Sequence, residues 1–123
     1  MSTVLVIEDN EDNFELIRII LEANGHQVTH AATGFAGIEG ALNLKPTFIL
    51  LDIQLPDMDG EEVLRHIRSQ EGGKQIPIIA VTSFAMSGDR ERLLSAGCNG
   101  YIEKPIDSFK IIEQIETIIN EYQ

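Results

Sequence analysis

Short runs of apolar residues alternate along the chain with longer segments in which apolar residues recur every three or four positions. The short runs are typical of β-strands and the longer segments of amphipathic helices. Residues 4–7, 48–51 and 78–81 are continuously apolar, as expected of central parallel strands that are covered on both faces. The pattern predicts strands at residues 3–8, 27–31, 47–52, 77–82 and 100–103.

Helices are predicted after each of these strands. The first should begin near Asn10, a good N-cap residue, and end near Gly25, which favours the left-handed conformation of a helix stop. Its buried stripe is predicted to be Leu16, Ile17, Ile20 and Leu21. The other helices are predicted at residues 34–43, 60–70, 87–96 and 107–121.

The last predicted helix has a cap and an apolar stripe of its own. Asp107 is placed to cap it, and isoleucines recur behind that cap at helical spacing. The apolar residues at this spacing are Phe109, Ile112, Ile115, Ile118 and Ile119.

Strict alternation of strands and helices predicts an α/β fold, a doubly wound five-stranded parallel sheet with helices on both faces. Right-handed crossovers allow the strand order 2-1-3-4-5, although alternation alone does not select it. The second strand is polar around Val28 and should lie at an edge. The length predicts a single domain over residues 1–123, with no residues left for an output domain.

Polar side chains occupy the carboxyl ends of four predicted strands, after their apolar runs. Glu8 and Asp9 follow the run of the first strand, Asp52 that of the third, Thr82 that of the fourth and Lys104 that of the fifth. Because the carboxyl ends of parallel strands line one crevice, we expect these side chains to converge. Clustered carboxylates repel one another, and a hard divalent cation such as Mg²⁺ relieves that repulsion. The pattern predicts phosphoryl chemistry on a carboxylate, with Asp52 as the nucleophile.

These residues belong to motifs that resemble those of response-regulator receiver domains, the phosphorylation modules of two-component signalling. The stand-alone chemotaxis regulator is the best-known member of this type. The family implies the flavodoxin-like strand order 2-1-3-4-5, which places the first and third strands side by side. The matching motifs, in the family's order, are Glu8-Asp9-Asn10, Leu51-Asp52-Ile53-Gln54-Leu55-Pro56 with Gly60, Ala80-Val81-Thr82-Ser83 and Tyr101-Ile102-Glu103-Lys104-Pro105.

The resemblance implies a phosphoacceptor and a metal site. Asp52 would accept a phosphoryl group from a sensor histidine kinase or phosphotransfer protein. Asp9 and Asp52 would bind Mg²⁺ directly, Glu8 mostly through water, and the backbone carbonyl of Gln54 would supply another oxygen. Such a module promotes its own phosphorylation and dephosphorylation and turns over no separate substrate, so it is not an enzyme in the usual sense.

The resemblance also implies a switch. Lys104 and Thr82 would stabilise the charge on the phosphoryl oxygens, and the Lys104–Pro105 peptide would be cis. Thr82 would then move toward the phosphoryl group and Tyr101 would turn inward. Those movements would reshape the face of the fourth helix, fifth strand and fifth helix, where a downstream target protein binds.

Two positions near the phosphoacceptor are predicted to set the lifetime of the phosphorylated state. In receivers, the side chains two residues after the nucleophile and two after the threonine flank the path of the hydrolytic water. Gln54 can hydrogen-bond that water, whereas Phe84 is bulky and offers no acceptor. We expect obstruction by Phe84 to dominate and the acyl phosphate to be long-lived.

Composition excludes several kinds of partner. The net charge of −11 argues against nucleic acid, because phosphate contacts need clustered basic residues. No apolar run approaches the roughly 18 residues of a membrane span, which predicts a cytoplasmic protein.

Cys98 could be a reactive thiol, but no basic residue flanks it, so a small packing residue is the better interpretation. The protein could be a monomer or a dimer that forms on phosphorylation.

Three other functions share features with this pattern. A haloacid-dehalogenase-type phosphatase also uses an aspartate nucleophile and Mg²⁺, but it needs a second aspartate where this chain has Gln54. A flavodoxin-like cofactor binder would need a phosphate loop at residues 8–12, which here are mostly acidic. A degenerate receiver acting as a constitutive adaptor would not need the complete acidic pocket. His26, His30 and His66 fit no ligand spacing and are predicted to be solvated.

Overall fold

The structure is a computed structural model that describes residues 2–83 and 87–122, without the side chains of residues 87, 88 and 122. Phe84, predicted to prolong the phosphorylated state, lies outside the described residues.

The described strands form one parallel sheet in the order β2-β1-β3-β4-β5, which confirms the predicted order. Each predicted strand bound differs from the observed one by at most one residue. Every residue of β3 and β4 is buried, as their unbroken apolar sequences indicate. The strands are β1 Ser2–Ile7, β2 His26–Ala31, β3 Phe48–Asp52, β4 Ile78–Thr82 and β5 Gly100–Glu103.

Helices follow the strands as predicted, and most are capped by the residue that precedes them. Asn10 accepts a hydrogen bond from the backbone N–H of Asn13 through its side chain, and Gly25 has a φ of +87° at the end of the same helix. A 3₁₀ turn at Glu71–Gly73 follows the third helix. The helices are α1 Glu11–Ala23, α2 Gly34–Leu44, α3 Gly60–Ser69, α4 Ser87–Ala96 and α5 Ile111–Tyr122.

The beginning of α5 was predicted incorrectly. Asp107 does cap a turn: its carboxylate accepts from the backbone N–H of Phe109 at 2.9 Å, and its carbonyl accepts from that of Ile111 at 2.9 Å. The helix itself begins only at Ile111, so the helical spacing does not extend back to Phe109. Phe109 is 97% exposed and is not part of the buried stripe.

The buried stripe of α1 also differs from the prediction. Phe14, Ile17 and Leu21 are buried, whereas Leu16 is 41% exposed. Each position along a helix turns the side chain by about 100°, so Phe14 and Leu16, two positions apart, point about 200° away from each other and cannot both face the sheet. Packing of the aromatic ring selects the stripe that contains Phe14.

The sheet buries apolar side chains on both faces, as a doubly wound fold requires. On one face, Val4 and Val6 pack with residues of α1 and α5. On the other face, Leu5 and Ile7 pack with residues of α2, α3 and α4. Alternate residues of β1 therefore pack against the helices on opposite faces of the sheet. Packing on both faces fixes the position of the carboxyl end of β1.

Candidate functional site

The carboxyl edge of the sheet brings three acidic side chains together. Ile7 pairs with Leu51, so the residues that follow them, Glu8 and Asp52, lie level with each other on neighbouring strands. Carboxylate oxygens of Glu8, Asp9 and Asp52 lie within 4.8 Å of one another. Glu8 is 2% exposed and Asp52 4% exposed, whereas Asp9 is exposed. Two of the three acids are thus removed from water.

Lys104 lies beside the two buried acids. Its Nζ is 3.1 Å from Oδ1 of Asp52 and 3.8 Å from Oε1 of Glu8. Its backbone N–H donates to the carbonyl of Thr82 at 2.8 Å, and the Lys104–Pro105 peptide is cis. These contacts fix the end of β5 next to the end of β4 and direct the ammonium group toward Asp52.

Thr82 and Gln54 complete the surroundings of Asp52. Thr82 is buried at the end of β4, one residue beyond Val81, which pairs with Asp52. The backbone N–H of Gln54 donates to Oδ1 of Asp52 at 3.1 Å. Within the described part of the chain, the residues predicted to bind the metal or the phosphoryl group therefore lie at this edge of the sheet, next to Asp52. Tyr101, the predicted switch residue, is not among them.

The electrostatics of the site are dominated by excess negative charge. Burial raises the pKa of Glu8 to about 7, and the hydrogen bond and repulsion from Asp52 act in the same direction. Lys104 and the backbone N–H of Asn10 oppose this rise only in part. Carboxylate oxygens in such a cluster are ligands that hard divalent cations prefer. The three acids can therefore hold a metal ion beside Asp52.

Comparison with known proteins decides the family. Residues 4–116 match the model of the response regulator receiver domain. The chain belongs to this family. It is thus the receiver domain of a two-component response regulator, and the family consists of signalling modules. A haloacid-dehalogenase-type phosphatase is not supported by this match.

Relatives of the receiver domain agree in length and fold. The polar-differentiation response regulator DivK of Brucella ovis is 40% identical over 119 residues, which cover 97% of each chain. A receiver domain of a sensor histidine kinase from Pseudomonas aeruginosa, solved with magnesium coordinated in its active-site cleft, is 37% identical with a TM-score of 0.88, covering 97% of this chain and 98% of that one. A CheY-like receiver from Methanospirillum hungatei is 30% identical with a TM-score of 0.89, covering 99% and 96%.

Tyr101 of the receiver domain is a residue of β5 and lies beside α4. It is half-buried, and the guanidinium carbon of Arg90 lies 4.8 Å from the centre of its ring. This distance is typical of a cation–π contact, which holds the ring against α4. The sequence analysis did not identify Arg90, because a lone arginine in a polar helix carries no signal of such a contact.

The loop between β3 and α3 is anchored to α2 by a residue that the sequence analysis also missed. The Asp57 carboxylate accepts hydrogen bonds from the backbone N–H groups of Gly34 at 2.7 Å and Phe35 at 3.0 Å. These bonds hold the pKa of the Asp57 carboxyl below its usual value, and the bond from Gly34 has the larger effect. The loop that carries Gln54 is therefore fastened to a helix N-terminus. An aspartate in a polar loop gives no sequence signal for a partner more than twenty residues away.

Two of the three histidines, which were predicted to be solvated, contact other residues of the protein. His30 and His66 are exposed, but the His30 ring stacks on Phe14, and its Nε2 lies 2.7 Å from the backbone carbonyl of Glu8. His26 is half-buried against the edge of Phe48, so the prediction that it is solvated is wrong. In the described part of the chain, the cluster that could hold a metal contains no histidine.

Two further sequence predictions concern the rest of the receiver domain. Cys98 is buried in the core, and burial raises its pKa, which favours the packing interpretation over a reactive thiol. Within residues 2–83 and 87–122, none of the helices is long and apolar enough to span a bilayer.

Proposed function

We propose that this receiver domain accepts a phosphoryl group on Asp52 from a sensor histidine kinase or phosphotransfer protein and then changes its protein-binding face. The carrying observation is the buried Asp52 carboxylate, which has the Lys104 ammonium at 3.1 Å and two further acids within 4.8 Å. A buried, positioned carboxylate next to a cation is suited to attack on phosphorus.

Mg²⁺ is the proposed cofactor. Glu8, Asp9 and Asp52 would hold it, together with the backbone carbonyl of Gln54, and the magnesium in the cleft of the Pseudomonas aeruginosa relative supports this choice. Their oxygens fit a hard cation that keeps several of its waters. When bound, the ion supplies positive charge for the oxygens of the transferring phosphoryl group.

The remaining chemistry is assigned to side chains of this chain. An oxygen of Asp52 forms a bond to phosphorus while the bond between phosphorus and the donor nitrogen breaks, which leaves an acyl phosphate. Lys104 and Thr82 are placed at the ends of β5 and β4 to bind phosphoryl oxygens and to stabilise the charge that develops there. Positioning by these groups lets the domain promote its own phosphorylation and, with water, its own dephosphorylation.

The phosphodonor protein is proposed to approach over α1 and the loop after β5. A groove there is lined by Asn13, Leu16, Ser83, Lys104, Pro105 and Ile106. Lys104 joins this groove to the acidic site, and Leu16 exposes apolar surface along it. A protein that docks in the groove could therefore bring a phosphohistidine to Asp52.

The downstream target is proposed to bind the face formed by α4, β5 and α5. Tyr101 lies on this face beside exposed Leu94 and half-buried Ile118, and the charged groups Glu103 and Glu121 border it. Addition of a phosphoryl group brings about −1.5 to −2 charges to Asp52, which can bias Thr82 and Tyr101 toward a second arrangement.

The proposed unit is a single cytoplasmic domain of residues 1–123. It acts as a monomer or as a dimer that forms on phosphorylation. Its acidic character, with a net charge of −11, supports protein partners over nucleic acid.

The direct test is phosphorylation by a small phosphodonor with Mg²⁺, followed by intact mass and mapping of the modified residue. The wild type is expected to gain one phosphoryl group at Asp52, and Asp52→Asn none. Asp12→Asn, which changes an exposed aspartate in the first turn of α1, is the matched control and should react like the wild type. Phosphorylation of Asp52→Asn at the wild-type rate would refute the assignment.

A further inference from the structure

We propose, on the basis of the Mg²⁺ site proposed above, that His30 is a positioning residue for that site. It holds the peptide group that joins Glu8 to Asp9 and thereby sets the direction in which the Asp9 carboxylate projects. His30 is one of the residues of β2 and lies 22 positions from Glu8 in the chain.

The hydrogen bond from His30 lies where the backbone ladder between β1 and β2 ends. Register runs from Ser2 opposite His26 to Ile7 opposite Ala31. The backbone N–H of Glu8 still donates to the carbonyl of Ala31 at 3.0 Å. Beyond this point β2 has ended, and Nε2 of His30 lies 2.7 Å from the Glu8 carbonyl. The ring extends the ladder by one hydrogen bond, up to the first acid of the site.

The direction of this hydrogen bond follows from its acceptor. A carbonyl oxygen can only accept, so Nε2 of His30 must carry the hydrogen and donate it. Both the Nε2–H tautomer of neutral histidine and the protonated ring have this hydrogen. The contact is therefore independent of the charge on His30.

Packing holds the ring of His30 in the position from which it donates. The ring lies parallel to that of Phe14, with centroids 3.7 Å apart and an angle of 9° between the planes. Phe14 is itself buried between α1 and the sheet. A donor that is fixed by stacking on a core residue restrains its acceptor more firmly than a mobile surface side chain does.

Restraint of the Glu8 carbonyl fixes the position of Asp9 relative to Glu8. The Glu8–Asp9 peptide is one rigid plane, so rotation of its carbonyl also changes the direction in which Asp9 projects. Asp9 is exposed, and packing restrains its carboxylate little. Outer hydrogen bonds that orient metal ligands typically change metal affinity by about 10- to 100-fold. Because His30 acts through the backbone, we expect a smaller effect.

His26 provides a matched control on the same strand. It also contacts an aromatic ring, Phe48, and its Nδ1 lies 2.5 Å from the hydroxyl oxygen of Ser2. Those contacts are at the beginning of β2, whereas the acidic site lies at the other end of the sheet. Loss of His26 should therefore reproduce general loosening of β2 without disturbing the peptide between the acids.

The experiment measures the Kd for Mg²⁺ by calorimetry, and the rate of phosphorylation by a small donor as a function of Mg²⁺ concentration. His30→Phe keeps an aromatic ring but removes the donor, and is expected to raise the Kd by about three- to tenfold. Its rate at saturating Mg²⁺ should stay within about twofold of the wild type, because the groups around Asp52 are unchanged. His30→Gln offers an amide donor and should recover part of the affinity, whereas His26→Phe should bind like the wild type.

Each outcome has a separate meaning. Absence of Mg²⁺ binding by the wild type would overturn the proposed metal site itself. Equal Kd values for the wild type and His30→Phe would overturn the role of His30 alone. Equal weakening by His30→Phe and His26→Phe would overturn it in favour of general loosening. If His30→Phe does not fold, His30→Gln must bind Mg²⁺ more tightly than His30→Leu, and equal affinities of that pair would overturn the role.

Discussion

The two edges of the sheet hold charged side chains in different ways. At the amino edge, the guanidinium of Arg68 donates to the carbonyl of Gly97 at 2.9 Å, to that of Gly73 at 2.6 Å and to the side-chain oxygen of Asn99 at 2.9 Å. The same Asn99 oxygen accepts from the backbone N–H of Ile78 at 2.8 Å. Neutral oxygens of the protein thus accept three hydrogen bonds from the cation at this edge.

At the carboxyl edge, three acids face one ammonium group, that of Lys104. Hydrogen bonding does not distinguish the edges, because buried side-chain polar atoms among the described residues all have partners. The edges differ in the sign and the burial of their charge: at the carboxyl edge, burial first, and the hydrogen bond and repulsion from Asp52 second, raise the pKa of Glu8 to about 7. The comparison teaches that a cluster of buried acids, rather than an unpaired hydrogen-bonding group, identifies the binding site in this molecule.

The largest expected effect comes from breaking the amino edge. Arg68→Ala removes three hydrogen bonds and leaves half-buried acceptors without this donor. We expect the free energy of unfolding to fall by about 2–4 kcal/mol, with the Kd for Mg²⁺ unchanged. Urea unfolding in EDTA measures the first quantity and calorimetry the second. A loss of Mg²⁺ affinity equal to that of an acidic-site variant would erase the distinction between the edges.

The next largest effect is a gain in the free energy of unfolding, and it comes from Glu8 at the carboxyl edge. The pKa of Glu8 in the folded protein is about 7, above its usual value of 4.5. The folded state thus binds this proton more tightly than the unfolded state does. The stability that follows is fully present below pH 4.5 and is lost as the pH rises to about 7. Burial of the Glu8 carboxylate is the main cause, the hydrogen bond and repulsion from Asp52 add to it, and Lys104 offsets these effects in part.

Glu8→Gln should remove this loss. At pH 8 in EDTA, the variant is expected to be more stable than the wild type by about 1–3 kcal/mol, whereas at pH 5 the two should be similar. Urea unfolding at both pH values is the measurement. An equal or lower stability of Glu8→Gln at pH 8 would show that neither burial nor repulsion from Asp52 makes the Glu8 carboxylate unfavourable in the folded state.

Substitution of Asp9, the exposed acid of the site, should weaken Mg²⁺ binding without destabilising the fold. Asp9→Asn is expected to melt at the same or a slightly higher temperature in EDTA, because repulsion falls. Its Kd for Mg²⁺ should rise by about tenfold or more, roughly 1.4 kcal/mol. Asp12→Asn, an exposed acid of α1, is the control and should bind normally. Equal Mg²⁺-induced shifts in the melting temperature of Asp9→Asn and the wild type would contradict the role of Asp9.

The smallest effect concerns the lifetime of the phosphorylated state. From the sequence, Phe84 obstructs the hydrolytic water, so Phe84→Ala or Phe84→Glu should lose the acyl phosphate about three- to tenfold faster, roughly 0.7–1.4 kcal/mol off the barrier. Phe84→Tyr keeps the bulk and should decay at the wild-type rate. Decay is followed after donor removal, and an unchanged or slower rate in both the alanine and glutamate variants would show that Phe84 does not shield Asp52.

The sheet was predictable because its central strands are unbroken apolar runs with polar residues directly after them. Asp52 and Thr82 could be placed at the carboxyl edge for the same reason. Helix α5 was less predictable, because the capping signal of Asp107 describes equally well a helix and a turn that precedes one. In α1, helical spacing permits a stripe with Leu16 or with Phe14, and only the fit of the ring against His30 and the sheet decides between them.

Contacts between distant parts of the chain account for the rest. Asp57 meets Gly34, Arg68 meets Asn99, and His30 meets Glu8, each across more than twenty residues. No local periodicity encodes these pairs, since each depends on the register of the sheet and the position of a helix end.

The most direct test of the buried acid cluster as a binding site is the effect of Mg²⁺ on the wild type at two pH values. At pH 8, above the pKa of Glu8 of about 7, Mg²⁺ should raise the free energy of unfolding as its concentration exceeds the Kd. At pH 5.5, below the pKa of about 7, Mg²⁺ must displace the proton of Glu8, so its affinity should fall by roughly tenfold or more. Stabilisation by Mg²⁺ that is absent at pH 8, or equal at both pH values, would contradict this account.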